Sequence, residues 1–127
     1  IEPLTTGLIT GSDLDHQAVK AARQNCRTLP GGRQVNIFRK DFSNHEGVRN
    51  GVIVCNPPYG LRLGREADLD QLYQAFGDWL KQRCSGSSAY IYFGNREMIK
   101  KIGLKPTWKK PLRNAELDGR VVKYELY

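Results

Sequence analysis

The chain predicts an α/β fold: a mostly parallel sheet with helices on both faces and an antiparallel strand near one edge. Three observations carry that expectation. Apolar β-branched runs alternate with helix-period segments along most of the 127 residues. Ala89-Tyr90-Ile91-Tyr92-Phe93 is a near-continuous apolar run, of the kind buried on both faces of a parallel sheet. Residues 105–112 and 120–127 read as two strands with no helical pattern between them, so they form an antiparallel hairpin turning through residues 114–119.

Residues 1–7, with Pro3, Thr5, Thr6 and Gly7, read as a linker or frayed end, and residues 8–127 as one domain or part of one. Leu8 to Asp13 is a short strand ending in an acidic residue. Asp15 can cap the helix that follows, which carries Ala18, Val19, Ala22 and Cys26 on one face. Pro30-Gly31-Gly32 is a turn, Val35 to Arg39 alternates as a strand, and Lys40-Asp41-Phe42 follows its end. A polar loop, 43–50, leads to Val52-Ile53-Val54-Cys55, a buried strand that Asn56-Pro57-Pro58 ends abruptly. Gly60 to Arg65 is short, basic and flexible enough to lie over a site. Asp68-Leu69-Asp70-Gln71 has capping-box spacing and opens a helix whose apolar face holds Leu69, Leu72, Tyr73, Phe76, Trp79 and Leu80. That stripe is core. Residues 85–88 break the chain before the Ala89 strand, and Asn95 then caps a short helix with Met98, Ile99 and Ile102, ended by Gly103.

Composition narrows the function classes. The formal charge is +7, and residues 95–127 hold nine Lys or Arg against four Asp or Glu, which points to a polyanionic partner or to a solvated basic surface. Cys26, Cys55 and Cys84 form no Cys-x-x-Cys pair and only two histidines are present, an argument against a metal site and against a disulfide framework. A reducing, cytoplasmic setting is expected, with no membrane span or leader in the sequence.

The tip at residues 56–59 carries the most chemistry. Pro57 and Pro58 have no N–H, so the backbone there offers only carbonyl acceptors, and Asn56 adds a side-chain carbonyl and an amide. Two acceptors can grip the hydrogens of a planar exocyclic amine and localise its lone pair for attack, while Tyr59 supplies a flat face for the ring. No strong base is needed, since the nitrogen sheds its proton after alkylation. The alternative is a strand-ending turn beside a half-buried aromatic. Asp13, at a strand's carboxyl end, stands where α/β folds bind ribose hydroxyls; Asp41 stands likewise and can bond an adenine amine with Phe42 packing beside the ring. Plain caps are the alternative at both positions. Arg62 and Arg65 can hold phosphate or remain solvated.

The Asn56-Pro57-Pro58-Tyr59 tip, the Gly11-Ser12-Asp13-Leu14-Asp15 strand end and the terminal hairpin resemble the class I S-adenosylmethionine-dependent methyltransferases that alkylate exocyclic amines. Residues 56–64, the helix 72–81 and Gly94-Asn95 are most similar to the THUMP-linked 23S ribosomal RNA guanine-N2 methyltransferases, over nearly the whole chain. The resemblance implies a Rossmann-like sheet, S-adenosylmethionine as cofactor, and 23S rRNA as partner. It implies that Asn56 and the Pro57 carbonyl hold the amine, that Tyr59 stacks the base, that Asp13 bonds the ribose of the cofactor and that Asp41 bonds its adenine. Beside these, Pro58, Arg62 and Arg65 are expected on the substrate side, and Leu14, Phe42 and Asn56 facing the cofactor. His16, Ala115 and Gly119 depart from the family, which usually has proline, glycine and cysteine there. The family's first strand and glycine-rich loop would lie upstream of Ile9, and no Gly-x-Gly occurs in the chain. The expectation is the C-terminal part of a catalytic domain lacking its first strand, which an upstream segment or a partner chain supplies. Two further readings stay open: adenine-N6 or protein-glutamine methylation by the same tip, and a non-catalytic RNA-binding fragment.

Overall fold

The structure, a computed structural model, describes residues 2–57 and 66–127. It divides into two compact units, residues 1–45 and 46–127.

In the first unit, β1 (Thr10–Asp13) and β2 (Asn36–Arg39) pair in parallel, with Thr10 opposite Asn36 and Asp13 opposite Arg39. The helix α1 (His16–Arg27) connects them. It starts where expected because Asp15 adopts an extended conformation and its carboxylate accepts from the Gln17 N–H at 3.0 Å. Arg23 ties α1 to β2 by donating from Nε and Nη2 to the Ile37 carbonyl at 3.0 and 2.7 Å. Among the described residues Val19 is the one buried large apolar side chain of this unit.

The second unit is a four-stranded sheet in the order β3 (Val52–Cys55), β4 (Ser88–Phe93), β6 (Leu117–Glu125), β5 (Trp108–Asn114). β3 and β4 are parallel, and the other two pairings are antiparallel. The fold is thus the expected mixed α/β arrangement, with the antiparallel strands at the C-terminal end of the chain. The helix α2 (Glu66–Arg83) and a 3-10 helix (Arg96–Ile102) supply the layer over the sheet. Tyr73, Phe76, Leu80, Met98 and Ile102 are buried from the helical side, and Ala89, Ile91, Phe93, Val122 and Tyr124 from the sheet. The Tyr73 and Phe93 rings meet at 5.9 Å. The two helical segments approach closely at Gly77, where a Cβ would lie 1.8 Å from the Ile102 carbonyl oxygen. A half-buried Asp70–Lys101 ion pair at 3.2 Å joins them further along.

Four expectations are corrected. α2 begins at Glu66, so Asp68 to Gln71 lie inside its first turns rather than opening it. β4 alternates buried Ala89, Ile91 and Phe93 with half-buried Tyr90 and Tyr92 instead of being buried on both faces. Tyrosine suits that half-buried face because its ring packs, here against Trp108 at 6.0 Å for Tyr90, while its hydroxyl stays polar. The hairpin strands run further into the turn, and its loop is shorter, than expected: Asn114 pairs with Leu117, leaving a two-residue loop with Ala115 at φ 54°. Cys55 is only half-buried, while Cys84 is the buried cysteine, its thiol pushed up by burial.

Among the described residues no strand pairs β1 with β3, and the two sheets are separate. No described helix is long and apolar enough to cross a membrane.

Candidate functional site

The tip rests on β3, and β3 is fixed at its start by a serine. Ser87 is fully buried; its hydroxyl donates to the Val48 carbonyl at 2.6 Å and accepts from the Gly51 N–H at 3.1 Å. The Ser88 N–H donates to the Gly51 carbonyl at 3.0 Å and the Asn50 N–H to the Ser85 carbonyl at 3.2 Å. These bonds set the strand's register against β4, so that Cys55 lies opposite Ile91. Beyond Cys55, Asn56 is exposed and Pro57 is buried. A buried proline with fixed φ holds the backbone path, and the exposed amide beside it keeps its donor and acceptor available to a ligand. Pro58, Tyr59, Arg62 and Arg65 lie outside the described residues.

Asp13 and Asp41 are brought together in the first unit, at the carboxyl ends of the adjacent parallel strands β1 and β2. Asp13 Oδ1 accepts from the Asp15 N–H at 2.8 Å, closing the turn into α1, and the Asp13 carbonyl accepts from the Lys40 N–H at 3.0 Å. Asp41 Oδ1 accepts from the Ser43 N–H at 3.0 Å and the Ser43 hydroxyl at 2.9 Å. Each carboxylate therefore uses one oxygen to shape its own turn. Among the described residues the other oxygen of each makes no hydrogen bond, and Asp13 is exposed, so each retains an acceptor for a hydroxyl or amine. Leu14 is 63% exposed beside Asp13, and the Arg39 guanidinium donates to its carbonyl at 3.1 Å, which fixes the backbone there. Phe42 is half-buried beside Asp41. Capping and ligand binding are thus compatible at both aspartates.

Sequence reasoning missed Ser87. The four-residue break that contains it reads as loop, and its clamp on residues 48 and 51 becomes visible only once β3 and β4 are paired. Among the described residues, no three His, Cys, Asp or Glu side chains cluster as metal ligands would.

The profile of the RMKL-like methyltransferase domain matches residues 2–123. A candidate RNA methyltransferase of Synechocystis sp. is 39% identical over 118 residues, which cover 92% of this chain and 31% of that protein. The ribosomal RNA large subunit methyltransferase K/L of Syntrophotalea carbinolica is 32% identical, with 91% of this chain and 17% of that protein covered. The chain therefore spans less than a third of these relatives. Among solved structures, a candidate methyltransferase complexed with SAH superposes with a TM-score of 0.84 at 28% identity, covering 94% of this chain and 32% of that one. A protein described as a predicted N6-adenine-specific DNA methylase, from Listeria monocytogenes, superposes at 0.73 with 27% identity, covering 94% of this chain and 30% of that one.

Proposed function

The chain belongs to the RMKL-like methyltransferase domain family, and on that premise we propose that it serves methylation of the guanine N2 amine in large-subunit ribosomal RNA. Its cofactor is S-adenosylmethionine, which supplies an electrophilic methyl group. The donor set fits that molecule: ribose hydroxyls and an adenine amine need acceptors, and Asp13 and Asp41 each keep one at adjoining strand ends. Leu14 and Phe42 flank these acceptors with apolar surface.

The single observation that carries the reading is the tip itself, an exposed Asn56 followed by a buried Pro57 at the carboxyl end of a strand whose register is pinned. In the proposed role the Asn56 side-chain carbonyl and the Pro57 carbonyl accept the two amine hydrogens. This turns the nitrogen lone pair out of conjugation with the ring and toward the methyl donor, and the nitrogen releases a proton to water after alkylation. Tyr59, with Pro58, stacks the base, which has to leave its helix to reach the tip. Arg62 and Arg65 hold flanking phosphates. The relatives named as large-subunit rRNA methyltransferases support the substrate, and with it a cytoplasmic place of action.

On the same reading, residues 8–127 are the C-terminal part of a catalytic domain. Among the described residues β3 has one hydrogen-bonded neighbour, β4, so its other edge supports pairing with a further strand from an upstream segment or a partner chain.

The test is methylation of rRNA with isotopically labelled S-adenosylmethionine, followed by digestion to nucleosides. Label in N2-methylguanosine, lost with Asn56→Ala, is the expected outcome. Label in N6-methyladenosine would overturn the guanine assignment in favour of the second reading, to which the likeness to the Listeria protein lends support.

A further inference from the structure

The last third of the chain is basic, and the fold gathers part of that charge into a cleft. The cleft, of about 630 Å³, lies between the 3-10 helix and the β5–β6 hairpin. Arg96, Lys100, Lys109 and Arg120 line it, against a single lining carboxylate, Glu97. Asp118, which does not line the cleft, pairs with two of these guanidiniums, Arg120 at 3.0 Å and Arg96 at 3.9 Å. The Arg120 guanidinium beside it holds the Asp118 carboxyl below the usual range, so the clamp stays charged at neutral pH. Among the described residues Lys100 and Lys109 enter no ion pair, and both are exposed. Four cations against Glu97 and Asp118 leave the cleft net positive, which favours an anion there.

Topology places this cleft with respect to the tip. β3 and β4 run parallel, so Asn56 leaves the sheet at the same end as Phe93 and the Arg96 turn that follows it. β6 runs antiparallel to β4 and sets Arg120 opposite Phe93, at that same end. From β3 to β6 is two strand spacings, about 10 Å. Lys109 lies two residues from the Pro111–Arg120 pair, about 7 Å further along the sheet. The cations form a track leading away from the end where the tip stands. A track suits a polyanion better than a single small phosphate, since the arginines offer forked donors and the lysines point charges at successive positions.

We propose that this cleft carries the backbone phosphates of the substrate RNA, setting the strand so that its target nucleotide reaches Asn56. The proposal rests on the RNA reading above and adds the surface that holds the RNA.

The test is fluorescence anisotropy of a short fluorescein-labelled RNA hairpin with a guanine in its loop, titrated with the protein over a range of salt concentrations. Lys100→Gln/Lys109→Gln is compared with a control of equal charge change outside the cleft, Lys20→Gln/Arg49→Gln. Each lost phosphate contact removes about 0.7 to 0.9 from the slope of log affinity against log salt, so the cleft variant loses about 1.5 and the control much less. Lys109→Glu weakens binding further. Both lysines are exposed, so the variants keep the parent's thermal midpoint, which a melting curve checks. If the parent binds with a steep salt slope and the cleft variant matches the control, the cleft assignment is overturned while the RNA reading stands. If the parent binds no RNA, both are overturned. Methylation of RNA at a position other than guanine N2, with the cleft effect intact, would overturn only the assigned target.

Discussion

The two units of this chain are built on different principles. The second holds thirteen of the fourteen buried apolar side chains among the described residues, and its site element, β3, is positioned by sheet pairing and a buried serine. The first buries Val19 alone, and its candidate ligands, Asp13 and Asp41, are positioned by turns that their own carboxylates close. The difference separates two ways of holding a functional group: a rigid scaffold for the group that must be aligned with a reacting atom, and local turn chemistry for groups that need only present an acceptor.

The comparison can be broken first at the core. Leu80→Ala removes a fully buried side chain from the second unit and should cost about 3 kcal/mol in denaturant unfolding, against about 1.5 for Val19→Ala in the first. Equal costs would erase the asymmetry. Next comes Gly77→Ala. Helix propensity alone predicts about 1 kcal/mol of stabilisation, but the new Cβ would overlap the Ile102 carbonyl, so a net loss of about 2 kcal/mol is expected in the same assay. A gain would show that the helical layer yields easily.

A smaller effect of opposite sign is expected at Tyr124, whose hydroxyl is buried with no partner among the described residues and whose ionisation burial pushes up. Tyr124→Phe should raise stability by about 1 kcal/mol; a loss would mean the hydroxyl is bonded.

The smallest effect concerns the surface pair Lys123–Glu125, 2.8 Å apart on β6, where Ser88 also donates to Glu125. Lys123 lowers the Glu125 carboxyl and Glu125 raises the Lys123 ammonium. The carboxylate's contribution is present above the ordinary carboxylate range and fades as pH falls through its lowered folded value. The ammonium's is present below the ordinary lysine value and fades as pH rises through its raised one. Melting curves of Glu125→Gln should therefore show a small deficit across neutral pH that closes in acid. A deficit that persists in acid would assign the effect to packing instead.

Much of the second unit was legible because its patterns are strong. The β-branched run 52–55, the apolar face of α2 and the paired C-terminal strands each match one periodicity, and each forms. The capping-box spacing at Asp68 misled because helix propensity at Glu66 and Ala67 let α2 start earlier. The hairpin loop was misplaced because Ala115 occupies a left-handed position that usually advertises itself with glycine. Gly119 has a reason that no local pattern carries: the Tyr92 side chain fills the space where a Cβ would be, with its hydroxyl oxygen 2.3 Å from that position. The basic cleft was visible only as excess charge, since Lys109 and Arg120 come together through strand pairing and Arg96 joins them from the 3-10 helix. Of the site, residue types at strand ends could be read from sequence, but not that Asp13 and Asp41 each use one oxygen to close a turn and leave the other without a hydrogen bond among the described residues.

The proposed function assigns cofactor binding to the Asp13 and Asp41 carboxylates and amine alignment to the Asn56 tip. It is tested most directly by calorimetric titration of S-adenosylhomocysteine into the parent, Asp13→Ala and Asn56→Ala, with methyl transfer measured on the same samples. The account predicts that Asp13→Ala weakens binding by about tenfold or more, near 1.4 kcal/mol. It predicts that Asn56→Ala binds almost as the parent does while methyl transfer is abolished. Unchanged affinity in Asp13→Ala, or strong residual transfer in Asn56→Ala, would contradict it.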